Sequence, residues 1–120
     1  MDIAQIVLQL IAGLGILNVW VLRLNRPTPY RGGGTSNMKE EFAYYGLPNW
    51  SFVVVGVLKI LCALGLIVGL AFPWLVNAAA FVLGILMLGA FVMHLKVKDP
   101  LQRAAPALSL LLVCSVIIAL

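Results

Sequence analysis

Four long apolar runs leave this chain few ways to fold. They begin near Ile3, Trp50, Leu75 and Ala104, and all but the last reach the roughly 20 residues that a helix needs to cross hydrocarbon. Within each run the apolar residues are continuous rather than alternating, which excludes the strands of a membrane barrel. The chain is 63% hydrophobic and only 10% charged, with a mean hydropathy of +1.11. A soluble core of 120 residues cannot hide that much apolar surface, so the solvent is lipid. Helices and closed barrels are the structures that satisfy their backbone there. The expected fold is all-α: one domain, 1–120, a polytopic membrane four-helix bundle with spans at about 3–24, 50–72, 75–95 and 104–120.

No basic residue precedes the first run and no small-x-small site follows it, so it is expected to stay as an anchor rather than be cleaved. Residues 25–48 are too many for an idle hairpin. Arg26, Pro27, Pro29 and the run Gly32 to Gly34 predict an irregular, flexible first half. The glycines lack the GK[ST] continuation of a phosphate cradle. From Asn37 the pattern changes: Met38, Phe42 and Tyr45 recur at helical spacing around Lys39, Glu40 and Glu41. With Thr35, Ser36 and Asn37 as caps, this predicts a short amphipathic helix at the membrane surface, ended by Gly46 and Pro48.

The first connection holds Arg23, Arg26, Arg31 and Lys39, the third holds Lys96, Lys98 and Arg103, and the second holds no basic residue. The positive-inside rule then gives a multi-pass protein of a bacterial-type inner membrane, with that helix on the cytoplasmic side and both termini outside. The net charge of +4 reads as topology signals facing anionic lipid, with no nucleic acid as partner.

Lys59 is the anomaly. It lies nine residues into the second span, roughly 13 Å from the boundary at 1.5 Å per residue, and so near the midplane. An ammonium there costs about 3 kcal/mol and calls for a carboxylate, a wet polar cavity or loss of its proton. The acids are Asp2, Glu40, Glu41 and Asp99. Asp2 belongs to the opposite face and Asp99 lies beyond the end of the third span, which leaves Glu41 or Glu40. The predicted site is a cytoplasm-facing pocket walled by Lys59, Glu41 or Glu40, Asn18 and His94. Gln9, nine positions before Asn18, faces the other side of its helix. The competing reading has Lys59 tolerated by snorkelling, by a water defect or by a partner subunit. His94 reads as an interfacial histidine, a ligand or a proton relay. Gly65 and Gly69 form a GxxxG pair, with Ala80 and Gly84 at the same spacing, as helix-packing residues. Cys62 and Cys114 lack CxxC spacing and read as small core residues; one histidine and two separated cysteines make no metal site. Ser109 and Ser115 have no base at matching depth, so no catalytic residue and no independent catalytic activity is expected.

The arrangement of Arg26, a glycine-bearing linker, Asn37-Met-Lys-Glu-Glu41, Tyr45-Gly-Leu-Pro48, Gly56-Val-Leu-Lys59 with Ala63 and Gly69, then Met87-Leu-Gly-Ala90, His94 and Asp99-Pro100 resembles the DoxX-like family of small four-helix membrane proteins. The family's name derives from a subunit of a thiosulfate:quinone oxidoreductase. The resemblance implies a membrane subunit or accessory protein in a redox-linked setting, a quinone being the carrier if electrons pass through the pocket. The expected role is a subunit that holds a quinone, lipid or small anion and assembles as a homo-oligomer or within a larger membrane complex. The alternatives are a structural scaffold of such a complex and a small transporter using Lys59.

Overall fold

The computed structural model describes residues 2–120, which form helices and turns with no strand among them. Helix α1 (Ile3–Leu17) starts at Asp2, whose side chain accepts the Gln5 N–H at 2.8 Å. It continues into a wider π-helical turn, Asn18–Leu22. Helix α2 (Met38–Tyr44) is short, and α3 (Asn49–Val68), α4 (Trp74–Lys96) and α5 (Leu101–Ala119) are long. Four segments are long and apolar enough to span a membrane: α1 with its π turn, α3, α4 and α5. Their outward faces are apolar, with Val53, Leu61, Phe81 and Leu112 all about 60% exposed, as expected of a surface that meets lipid. The buried seam is made of small and branched residues such as Ala12, Ala63, Leu66, Ala80, Leu83 and Ile117.

Each spanning helix packs on its sequence neighbour and α5 returns to α1, which closes the bundle; the α1–α5 seam is the loosest of the four. Glycines set the spacing on the other seams. A Cβ on Gly13 would lie 2.9 Å from Ile67, and one on Gly69 would lie 2.6 Å from Val76 Cγ2. Gly65 approaches Ala79 of α4, Gly84 faces Cys114 of α5, and Ala80 is fully buried. The α3 face that the GxxxG spacing offers to a second copy is therefore covered by α4 of the same chain. Gly69 also ends α3 four residues before the expected boundary, because the chain must turn there to bring Val76 so close. Helix α5 starts earlier than expected, at Leu101, because Pro100 serves as its N-cap.

Gln9 is fully buried on the α3 side of α1. Its Nε2 donates to Leu66 O at 2.9 Å, a carbonyl that Leu70 N passes over for Ile67 O. Far from this, α2 docks onto the end of the bundle rather than lying loose on its surface. Met38 and Phe42 are buried. The Phe42 ring meets Trp20 and Phe52 edge-on at 5.9 and 5.8 Å. Gly46, at φ +80°, ends α2: Leu47 N bonds Phe42 O and Gly46 N bonds Ala43 O. The same pair of bonds ends α4, where Asp99 N reaches His94 O and Lys98 N reaches Leu95 O. Lys98 adopts φ +57° without being glycine. These two turns place α2 and the α4–α5 connection at one end of the molecule.

Candidate functional site

A cavity of about 790 Å³ lies at this end, walled by all four spanning helices and by α2. Lys59 is on its wall and only 7% exposed. The ammonium sits 5.2 Å above the Trp20 ring, and among the described residues no carboxylate lies within salt-bridge distance of it. Trp20 is held in turn by Gly56, where a Cβ would come within 2.7 Å of the indole.

Glu41 shares the cavity wall but takes other partners. Its Oε2 accepts from Arg31 Nη1 at 3.2 Å and its Oε1 accepts from the Tyr45 hydroxyl at 2.6 Å. Glu40 points away: it is exposed, and its carboxylate accepts the Ser36 N–H at 3.0 Å while Asn37 caps Glu40 N. Its carboxylate thus reaches back past the cap to the residue before it, on the exposed side of α2, and Glu40 does not line the cavity. Asn18, at the start of the π turn, lines the cavity without a side-chain hydrogen bond among those of the described residues. His94 is buried, with Nε2 3.3 Å from Tyr45 Oη and Nδ1 2.8 Å from Asp99 Oδ2.

Three members of the cluster escape sequence reasoning. Asp99, set aside there as lying beyond its helix, is folded back onto His94 by the positive-φ turn at Lys98, which no glycine marks. It also accepts from Gly33 N at 3.0 Å and from Arg103 Nη1 at 3.2 Å. Tyr45 reads as one more apolar-stripe residue, yet its i, i+4 spacing from Glu41 is the signal that puts both on one face. Arg31, counted above as a topology charge, is 3% exposed. Its guanidinium reaches Arg23 O and Leu24 O, which also accept from Arg26 N and Met38 N, and Arg26 O at 3.1 Å, all in the loop that follows the π turn. Nothing in the sequence separates it from Arg26. The glycine run is a docked strap rather than a flexible loop: a Cβ on Gly32 would fall on the Tyr45 hydroxyl, and one on Gly33 would fall on the Tyr44 ring.

Burial and the adjacent Glu41 carboxylate push the Tyr45 phenol far above its ordinary value, so it stays protonated and donates. Burial alone would raise the Asp99 carboxyl. The hydrogen bonds from Gly33, His94 and Arg103 outweigh it and hold Asp99 below the usual carboxylate range. A depressed folded value stabilises the fold above the unfolded value, near 4, and this stabilisation is lost as pH falls through the folded value. Asp99→Asn is therefore expected to cost about 2 kcal/mol at neutral pH and to flatten the acid limb of a thermal unfolding series in detergent. An unchanged acid limb would contradict this.

A profile of the DoxX-like family matches residues 33–116, well over half of the chain. The chain belongs to the DoxX-like family. No curated protein and no solved structure matches it. In this DoxX-like chain the matched region contains Glu41, Tyr45, Lys59, His94 and Asp99, while Trp20 and Arg31 lie ahead of it. Chemically, the cluster offers an unpaired ammonium, a phenol and an imidazole at the polar end of a mainly apolar cavity. These are groups that hold and exchange protons with a polar head.

Proposed function

We propose that this DoxX-like protein is an inner-membrane subunit or accessory protein that binds a lipid-soluble ligand with a quinone-type head, its carbonyl accepting a hydrogen bond from Lys59. The observation that carries this reading is the Lys59 ammonium, buried and without a carboxylate on the wall of a cavity. Ile11 and Ile85, on the same wall, are 51% and 55% exposed, so the cavity reaches the lipid face and a tail has a way in. Gly15 and Gly89 line it too, and a Cβ at either would meet nothing within 4 Å. Those two glycines answer to no packing constraint; they leave room. The basic residues of both connections gather at the α2 end, which the positive-inside rule assigns to the cytoplasm. The opposite half is closed by Gly13 against α3 and by the Gln9 to Leu66 bond, which favours binding over carriage across the membrane.

The test uses Trp20 as reporter, with Trp50 and Trp74 replaced by phenylalanine. Decylubiquinone is expected to quench Trp20 saturably in nanodiscs. Gly15→Leu and Gly89→Leu fill the cavity, and each is expected to weaken binding at least about tenfold, as one obstructed apolar contact does, with little change in melting temperature. Quenching indistinguishable between the parent and both filled variants would overturn the reading. A second reading, an anionic amphiphile, is favoured by the charge on the wall: Arg23, Arg31, Lys59 and Arg103 against Glu41. Saturable competition by a long-chain fatty acid would support it.

A further inference from the structure

The buried polar groups at the α2 end form a single file. Asp99 Oδ2 lies 2.8 Å from His94 Nδ1, His94 Nε2 lies 3.3 Å from Tyr45 Oη, and Tyr45 Oη donates to Glu41 Oε1 at 2.6 Å. Asp99, its side chain 3% exposed, ends the file in the α4–α5 connection, bonded to Arg103 of α5; His94, Tyr45 and Glu41 all line the cavity, with Glu41 the member that also bears on Lys59. Such an order is more than packing requires. A buried tyrosine needs one acceptor for its hydroxyl, and Tyr45 has Glu41 on one side and an imidazole nitrogen on the other. The Gly32 strap, Phe42 and Lys96, whose ammonium donates to Tyr45 O at 2.9 Å, hold the phenol in this bridging position.

We infer that Asp99, His94, Tyr45 and Glu41 form a proton path that runs along the cavity wall from the α4–α5 connection to the Lys59 side. The inference rests on the proposed reading of the cavity as a ligand site and gives that site an exchange of protons. The balance is one proton in and one proton out. Tautomer exchange first moves the imidazole proton from Nδ1 to Nε2, and a proton taken up by the Asp99 carboxylate then passes to the freed His94 Nδ1, making an imidazolium. The imidazolium gives its Nε2 proton to Tyr45 Oη as the phenol's own proton moves to Glu41 Oε1. Glu41, now neutral, offers that proton to an acceptor in the cavity. His94 is then back with its proton on Nδ1, and turning of the phenol hydroxyl towards Glu41 resets the file. No electron moves in these steps. Every charged or titratable group packed around His94 takes part or holds a participant: Glu41 and Tyr45 from α2, Asp99 from the α4–α5 connection, Arg103 from α5, Arg31 through Glu41, and Lys96 through the Tyr45 backbone.

The path is testable without any ligand. Cys62 and Cys114 are replaced by alanine, and Ser109, on the cavity wall, by cysteine, which then carries a thiol-linked pH-sensitive fluorescein. After a pH jump outside nanodiscs, the dye is expected to follow in a fast phase. Tyr45→Phe keeps the ring and removes the relay, and is expected to slow that phase by about 100-fold, the low end of what a positioned proton-transfer group contributes. His94→Ala should slow it similarly, and free imidazole in the buffer should restore it, a rescue that a packing defect would not show. Equal rates in the parent, Tyr45→Phe and His94→Ala would overturn the path, as would a parent whose dye shows no fast phase. Decylubiquinone binding is scored separately by Trp20 quenching, so loss of the ligand reading and loss of the proton path give different results.

Discussion

Lys59→Met is expected to make the protein more stable and nearly blind to its ligand. The two effects have opposite signs because the same group causes both. An ammonium near mid-membrane costs about 3 kcal/mol to place there, and here it has no carboxylate to offset that, only the Trp20 face at 5.2 Å. A desolvated cation over an indole returns about 1 to 2 kcal/mol. Methionine keeps the length and apolar stem of lysine, so the net change is a gain of about 1 to 2 kcal/mol, read as a shift in denaturant-induced unfolding in mixed micelles. Decylubiquinone affinity should fall by at least about tenfold, the loss of one charge-assisted hydrogen bond to its carbonyl. A structural lysine would behave in the opposite way. If Lys59 were held by trapped water or by a partner subunit for the sake of the fold, Lys59→Met would lower stability and leave Trp20 quenching intact, and the proposed function would fall with it.

How far the sequence reaches depends on which force writes the feature. The spans are legible because lipid imposes a continuous apolar run of fixed length, and a run from about Leu75 to Leu95 admits no second reading. Gly46 and Pro48 mark the end of α2 for the same local reason. Lys59 stands out because an ammonium amid apolar residues has a large and known cost. What stayed hidden depends on where chain segments meet. Asp99 joins the site through a turn that uses a lysine at positive φ, where no glycine announces it. Arg31 is one arginine among several until the loop after the π turn wraps its carbonyls around the guanidinium. Glu40 and Glu41 are chemically identical, and only the cap at Asn37 sends one outward and turns the other to the cavity. The glycine run looks like slack in the sequence, and the tyrosines it packs against are a dozen residues further on.

Arg31 and Glu41 are expected to differ sharply when each is removed. Arg31→Met leaves the Glu41 carboxylate buried with only the Tyr45 hydroxyl, and it strips the guanidinium from the carbonyls of Arg23, Leu24 and Arg26. Removing one partner of a buried pair costs about 3 to 5 kcal/mol, and the loss of a donor for Arg26 O adds to that. Glu41→Gln is milder, about 1 to 2 kcal/mol, because the amide oxygen still accepts from Tyr45 and Arg31 keeps its backbone acceptors. The double variant should therefore be more stable than Arg31→Met alone, with a coupling of about 2 kcal/mol in a double-mutant cycle, since the stranded charge is gone. The ordering is the informative part. If Glu41→Gln proved the costlier change, the carboxylate rather than the guanidinium would be holding the strap, and the loop ahead of α2 would owe its place to Tyr45 and Asp99. If Arg31→Met were neutral, the guanidinium would be bonding carbonyls that water satisfies equally well, and the α2 end of the bundle would be wetter than an Arg31 only 3% exposed allows.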